Sequence, residues 1–167
     1  MNNEQMELLM KRILHQYELS AYGIHGPSHW KRVQTLGWWL ADAEGADHTV
    51  VRLFSMMHDA CRRNEGEDMM HGARAANLVV ALCNQNTITV RPRQKDLLIA
   101  ACECHTFARP GDGTDDITIQ VCIDADRLDL CRLGIVVDPD LLFTTTGKLS
   151  TMREGAIRLF NESRAVR

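Results

Sequence analysis

The chain has 167 residues, 45% of them hydrophobic, and a net charge of -3, which is enough to enclose one core but not two. Acidic and basic residues mix along the whole length, so there is no basic stripe of the kind that duplex nucleic acid requires. Charges at Glu4, Glu7, Lys11, Arg12 and Glu18 break any early apolar run that could act as an export signal or a membrane span. The expected compartment is therefore the cytoplasm.

Apolar residues recur at helical spacing nearly everywhere, and alternation is confined to the short runs Ile88 to Val90 and Ile135 to Val137, which predicts an all-α bundle. The first helix should run from about Glu4 to Leu19, with Met6, Leu9, Met10, Ile13, Leu14 and Tyr17 on one face. After the turn Gly26-Pro27-Ser28, Ser28 is placed to cap a helix from His29 to about Glu44. Gly45 closes that helix, and Asp47 can cap a third whose core face carries Val50, Val51, Leu53, Phe54, Met57 and Ala60 and which ends with His58-Asp59.

Asn64 to Asp68 reads as a polar connection, and His71 to Cys83 as an Ala- and Leu-rich helix. Pro92 lies just inside the start of a fifth helix that turns Leu97, Leu98, Ala100, Ala101 and Cys104 inward. Phe107 to Asp116 is rich in Gly, Pro and Asp and must be a surface loop, placed where a lid could sit. A helix from Ile117 to Leu133 follows. The tail 139–167 should hold a short turn and a last helix from about Leu149 to Asn161, with no linker long enough to divide residues 1–167 into domains.

The six cysteines, Cys61, Cys83, Cys102, Cys104, Cys122 and Cys131, read as reduced thiols of the core. Cys102 and Cys104 lack the spacing of a zinc knuckle. The histidines are more telling. His29, His58, His71 and His105 fall on helical positions otherwise taken by inward-facing apolar residues, and Asp124 or Asp126 lies inside the apolar stretch Val121 to Leu130. Buried imidazoles and carboxylates are costly unless paired or bound to a cation, so their convergence points to a metal held inside the bundle. His58-Asp59 supplies a nitrogen and an oxygen ligand side by side, able to hold one ion or bridge two, and this donor chemistry suits divalent Mn, Fe, Co, Ni, Zn or Mg.

With His29 in HGPSHWKRV, His58-Asp59 in LFSMMHDA and Asp126 in DADRLDL, residues 24–134 resemble the HD-domain superfamily of metal-dependent phosphohydrolases, and most of all its small stand-alone bacterial members. The resemblance implies an HD-type bundle of about six to eight helices in which His29, His58, Asp59 and Asp126 are metal ligands. His71 in MMHGARAA and His105 in CECHT match two further histidines with which some branches hold a second ion. The implied activity is hydrolysis of a phosphomonoester or nucleotide by metal-activated water.

Under this reading Asp59, Arg62 and Arg74 take part in catalysis, while Lys31, Arg62, Arg63, Arg74 and Arg127 are the candidates to bind the phosphate of a small phosphorylated molecule. Asp129 is expected to pair with Arg132 or Arg127, His25 to lie at a pocket rim, and Glu65, Glu67 and Asp68 to be solvated loop residues. Arg62 and Arg63 stand where guanosine-tetraphosphate hydrolases carry an acidic pair. The Gly-Tyr-Pro signature of cyclic-dinucleotide phosphodiesterases and the acid of deoxynucleotide monophosphatases are absent, so those branches are disfavoured. Two rival readings are a di-iron oxygenase and an inactive module that binds a nucleotide or a protein. Trp38-Trp39 leaves one indole outward as a homodimer contact.

Overall fold

In the computed structural model, which describes residues 2–165, the helical spacing resolves into α1 (Asn3–Gln16), α2 (Pro27–Glu44), α3 (His48–Met57), α4 (His71–Asn84), α5 (Pro92–Cys104), α6 (Ile117–Leu128) and α7 (Ser150–Ala165), with 3-10 turns at Asp129–Leu133 and Pro139–Leu141. The described residues contain no strand, and no helix is long and apolar enough to cross a membrane. The fold is all-α. Leu9 and Ile13 of α1, Leu36 and Leu40 of α2, Phe54 and Met57 of α3, Val79 of α4, Leu98 of α5, Val121 of α6 and Ala156 of α7 share one continuous core.

The centre of the bundle is α2, packed against α3 and α6. Gly37 permits this approach, because a Cβ there would fall 2.5 Å from Val51 Cγ1 and 3.5 Å from the Ala125 methyl. Asp47 caps α3 as its position suggests, accepting from the N–H groups of Thr49 and Val50 and from the Gln94 amide of α5. Cys102 and Cys122 are buried, the other four cysteines are partly buried, and all six are free.

Several boundaries differ from the sequence reading. α1 stops at Gln16 because Tyr17 turns extended and sets its ring edge-on against Trp30, with centroids 5.2 Å apart. Ser28 is not the cap of α2: Gly26 holds that position, Pro27 is the first helical residue, and Ser28 lies within the first turn. The helix expected over Ile117–Leu133 breaks at Leu128 into the 3-10 turn, which Gly134 ends at a φ of 75°. In α5, Leu98, Ala101 and Cys102 are the buried apolar residues, with Leu97, Ala100 and Cys104 only partly so. α7 starts one residue later than expected and runs on to Ala165. Trp38 and Trp39 are both about two-fifths exposed, rather than one in and one out.

Candidate metal centre

Six side chains that the sequence spreads over 98 positions meet at one end of the bundle. His29 comes from the first turn of α2, His58 and Asp59 from the end of α3, His71 from the start of α4, His105 from the end of α5 and Asp126 from α6. All are buried except Asp126, whose side chain is 22% exposed. They form two groups whose donor atoms lie within 4.8 Å of one another: His29, His58 and Asp126 in one, Asp59, His71 and His105 in the other. Asp59 touches both, with Oδ2 3.5 Å from the Nε2 atoms of His29 and His58, and Oδ1 3.3 Å from His71 Nε2.

The second nitrogen of each ring shows what the centre needs. Nδ1 of His58 lies 3.2 Å from the Phe54 carbonyl, that of His71 2.5 Å from the Asp68 carbonyl, that of His105 2.7 Å from the Cys102 carbonyl, and that of His29 2.7 Å from the Asp129 carboxylate. Those partners only accept, so every Nδ1 carries a hydrogen and donates it, leaving Nε2 a bare lone pair in the neutral ring. The Nε2 atoms face one another in two pairs, His29 and His58 at 3.1 Å and His71 and His105 at 2.8 Å, and where both rings of a pair are neutral two lone pairs are opposed. Such pairs repel unless positive charge lies between them. The Thr106 hydroxyl, 3.3 and 3.4 Å from the second pair, can give a hydrogen to only one of the two.

The electrostatics agree. Burial drives His29 toward the neutral form, but Asp126, Asp129 and Asp59 overcome it and hold the ring's pKa up at about 10. Burial and the neighbouring His58 push His105 down to about 4, and burial lowers His71. For both Asp59 and Asp126 burial raises the carboxyl, yet the facing histidines pull each well below the ordinary carboxylate range. Without a cation a proton on His29 Nε2 supplies the positive charge of the first pair, while the lowered values of His71 and His105 favour neutral rings in the second. Ionised carboxylates around imidazole nitrogens that a cation can claim from protons are a donor set for a divalent cation, and the chemistry of these residues fits one.

Behind the donors stands Asp129, which sequence reasoning assigned to Arg132 or Arg127. It is fully buried, and besides His29 it takes a two-pronged ion pair from Arg32, Nε at 2.6 Å and a terminal nitrogen at 2.9 Å, with Arg132 more distant at 3.7 Å. Arg127 does not reach it: its guanidinium lies over Phe143 and donates to the carbonyls of Leu141 and Ala108. Of the two aspartates of α6, Asp126 lies beside His29 and His58. Asp124 points away from the centre and accepts from the Phe143 and Thr144 N–H groups and the Thr144 hydroxyl, which fastens the tail to α6.

A cavity of about 360 Å³ opens onto the donors, with Asp59, His71, His105 and Asp126 at its floor. Arg62, Arg127 and Arg132 line it, and Ile24, Leu130 and Leu133 form its apolar part. Arg62 donates from Nε to Asp59 Oδ1 at 2.9 Å. Three other candidates lie elsewhere. Lys31 and Arg63 are exposed and do not line the cavity, while Arg74 is held by the Cys61 carbonyl and the Asp68 carboxylate, which makes it a brace between α4 and the preceding loop. The sequence reading also undervalued Glu65: it lines the cavity and bonds His25 Nδ1 at 2.6 Å. Loop composition gives no sign of that contact, which spans 40 residues.

No family model and no curated protein matches the sequence. Among solved structures, the crystal structure of a predicted HD superfamily hydrolase from an uncultured Thermotogales bacterium is similar in fold, with 19% sequence identity, a TM-score of 0.69, and coverage of 99% of this chain and 96% of the other. With seven helices in the described residues and a likeness over nearly its full length, the chain shares the all-α fold of that structure.

Proposed function

We propose that the protein is a metal-dependent phosphohydrolase that holds two divalent cations and acts on a phosphomonoester or a nucleotide. The observation that carries this reading is the pair of facing Nε2 couples, 3.1 and 2.8 Å apart, joined by the single carboxylate of Asp59. A shared carboxylate between two imidazole pairs is the arrangement expected of a dinuclear centre. The similarity in fold to a predicted HD superfamily hydrolase supports the same class of chemistry.

When bound, divalent cations supply Lewis acidity and a water acidic enough to ionise near neutral pH. The chain's own residues do the rest. Asp59 keeps one oxygen toward each group, and Arg62 fixes its rotation from the outer side. Asp129 and the three backbone carbonyls lock each ring in the tautomer that presents Nε2. Arg62 and Arg132 line the cavity beside the carboxylates and would neutralise charge growing on a phosphoryl group. Arg127 also lines it, but its bonds to two carbonyls make it a wall of fixed shape.

The test is a screen of phosphomonoesters, nucleotides and cyclic nucleotides with Mn, Co, Ni, Zn, Fe or Mg added singly, run beside an Asp59→Ala control. Metal-dependent release of phosphate that disappears in the control is the expected result. Hydrolysis of equal rate in the control would place the activity elsewhere.

A further inference from the structure

Next to the metal cavity, beyond a partition made by Ile24 and Arg132, lies a second cavity of about 260 Å³. Its walls include Arg32, Arg132 and Arg164, together with Tyr22 and Phe160, and no acidic residue among the described ones lines it. The partition is fixed by a hydrogen bond of 3.0 Å from Arg132 Nε to the Ile24 carbonyl. Arg32 and Arg132 are more than nine-tenths buried at the side chain, and the carboxylate that faces them both is that of Asp129, which also carries His29. One carboxylate against two guanidiniums leaves the wall with an excess of positive charge, little of which is in contact with water.

Arg164 adds to that excess. It lies over the Phe160 ring at 5.7 Å, with Arg32 at 5.3 Å from the same ring, and among the described residues it makes no ion pair. Apart from Asp129, Arg32 has a long contact, 3.4 Å, from one terminal nitrogen to the Ser163 hydroxyl. A half-open cavity with three guanidiniums, two aromatic rings and, among the described residues, no carboxylate on its walls suits an anion, and guanidinium geometry favours phosphate oxygens.

We infer that this cavity is a second anion site, which binds a phosphate group apart from the metal centre. The site does not depend on the hydrolase reading, because none of the six donor residues lines it. The phosphate could belong to a substrate that carries two phosphorylated positions or to a separate phosphorylated effector. Both offer the same chemistry to the arginines.

Inorganic pyrophosphate is a suitable probe, titrated by calorimetry into the full-length protein and into Arg164→Glu and Arg164→Lys. Arg164 is exposed on the last helix, so reversal of its charge leaves the core intact. The expected result is a binding event weakened about tenfold or more by Arg164→Glu, largely kept by Arg164→Lys, and weakened by added salt. Binding at the metal centre would be equal in all three proteins. Identical isotherms for wild type and Arg164→Glu would overturn the inference, whatever the outcome of the hydrolase screen. If a substrate supplies the phosphate, Arg164→Glu raises KM for bisphosphorylated nucleosides and not for monophosphates. If an effector does, pyrophosphate changes monoester turnover without competing with it.

Discussion

Replacing Gly72 by alanine tests whether the centre is set by the close approach of α4 and α5. Gly72 follows the donor His71, and a Cβ on it would lie 2.5 Å from the Cys102 carbonyl oxygen, 3.2 Å from the Glu103 oxygen and 3.4 Å from the His105 ring. The obstacle is backbone, so it cannot rotate aside, and the helices must part by about 0.5 Å to reach even 3.0 Å. In an unobstructed helix the same change would stabilise by up to ~1 kcal/mol. Overpacking costs roughly 1–3 kcal/mol, so set against that gain a net loss of up to about 2 kcal/mol is expected in denaturant unfolding. The movement also draws His105 away from His71, whose Nε2 atoms now face at 2.8 Å. Metal affinity measured against a chromophoric chelator should then drop for one class of site while the other is kept. A variant more stable than wild type with unchanged metal binding would refute the reasoning.

Asp129→Asn keeps the shape of the group behind His29 but removes its charge, and metal affinity should fall by roughly 10–100-fold; unaltered affinity would show that Asp129 serves only to pair Arg32. His29, with its pKa held at about 10 by three carboxylates, carries a proton on Nε2 at pH 7.5 when no cation is bound, so metal uptake should release about one proton, read from calorimetry in buffers of different ionisation enthalpy. Chelation should lower the thermal midpoint and re-addition restore it, because a cation that binds only the folded state stabilises it. Asp47 has a folded pKa below its ordinary value: burial opposes this, but the Gln94 amide and the N–H groups of Val50 and Thr49 outweigh it. Its stabilisation is therefore full above a pH of about 4 and is lost as pH falls through the folded value. Asp47→Ala should cost about 1–2 kcal/mol at pH 7, and the gap from wild type should narrow in unfolding curves taken below pH 4.

The positions of the helices could be read from apolar spacing, and the four histidines from faces where apolar residues belong, whereas Asp126 rather than Asp124 came only from the resemblance to the HD-domain superfamily. Those signals are local, since each depends on a residue and its neighbours within one or two turns. What escaped were partners set by the packing of distant segments. Asp129 was assigned to a neighbour three residues away, Arg132, yet its principal partners, Arg32 and His29, lie 97 and 100 residues back. Arg74 looked like a phosphate ligand because it follows His71 by three, but the loop before α4 folds back to claim it. Glu65 looked like a solvated loop residue, and only the fold shows His25 beside it. The helix break at Leu128 was invisible too, since Asp129 to Leu133 keep an apolar pattern that a 3-10 turn and an α-helix share.

The reach of His29 to Asp129 also sets a schedule for the molecule. A nascent chain presents His29, His58 and Asp59 first, and the carboxylates that complete and orient this group, at 126 and 129, leave the ribosome only after them. Contacts of such long sequence separation close slowly. Until they do, the emerging segment offers imidazoles without the tautomer lock on His29, so under the proposed reading cation capture waits for α6 to dock against α2.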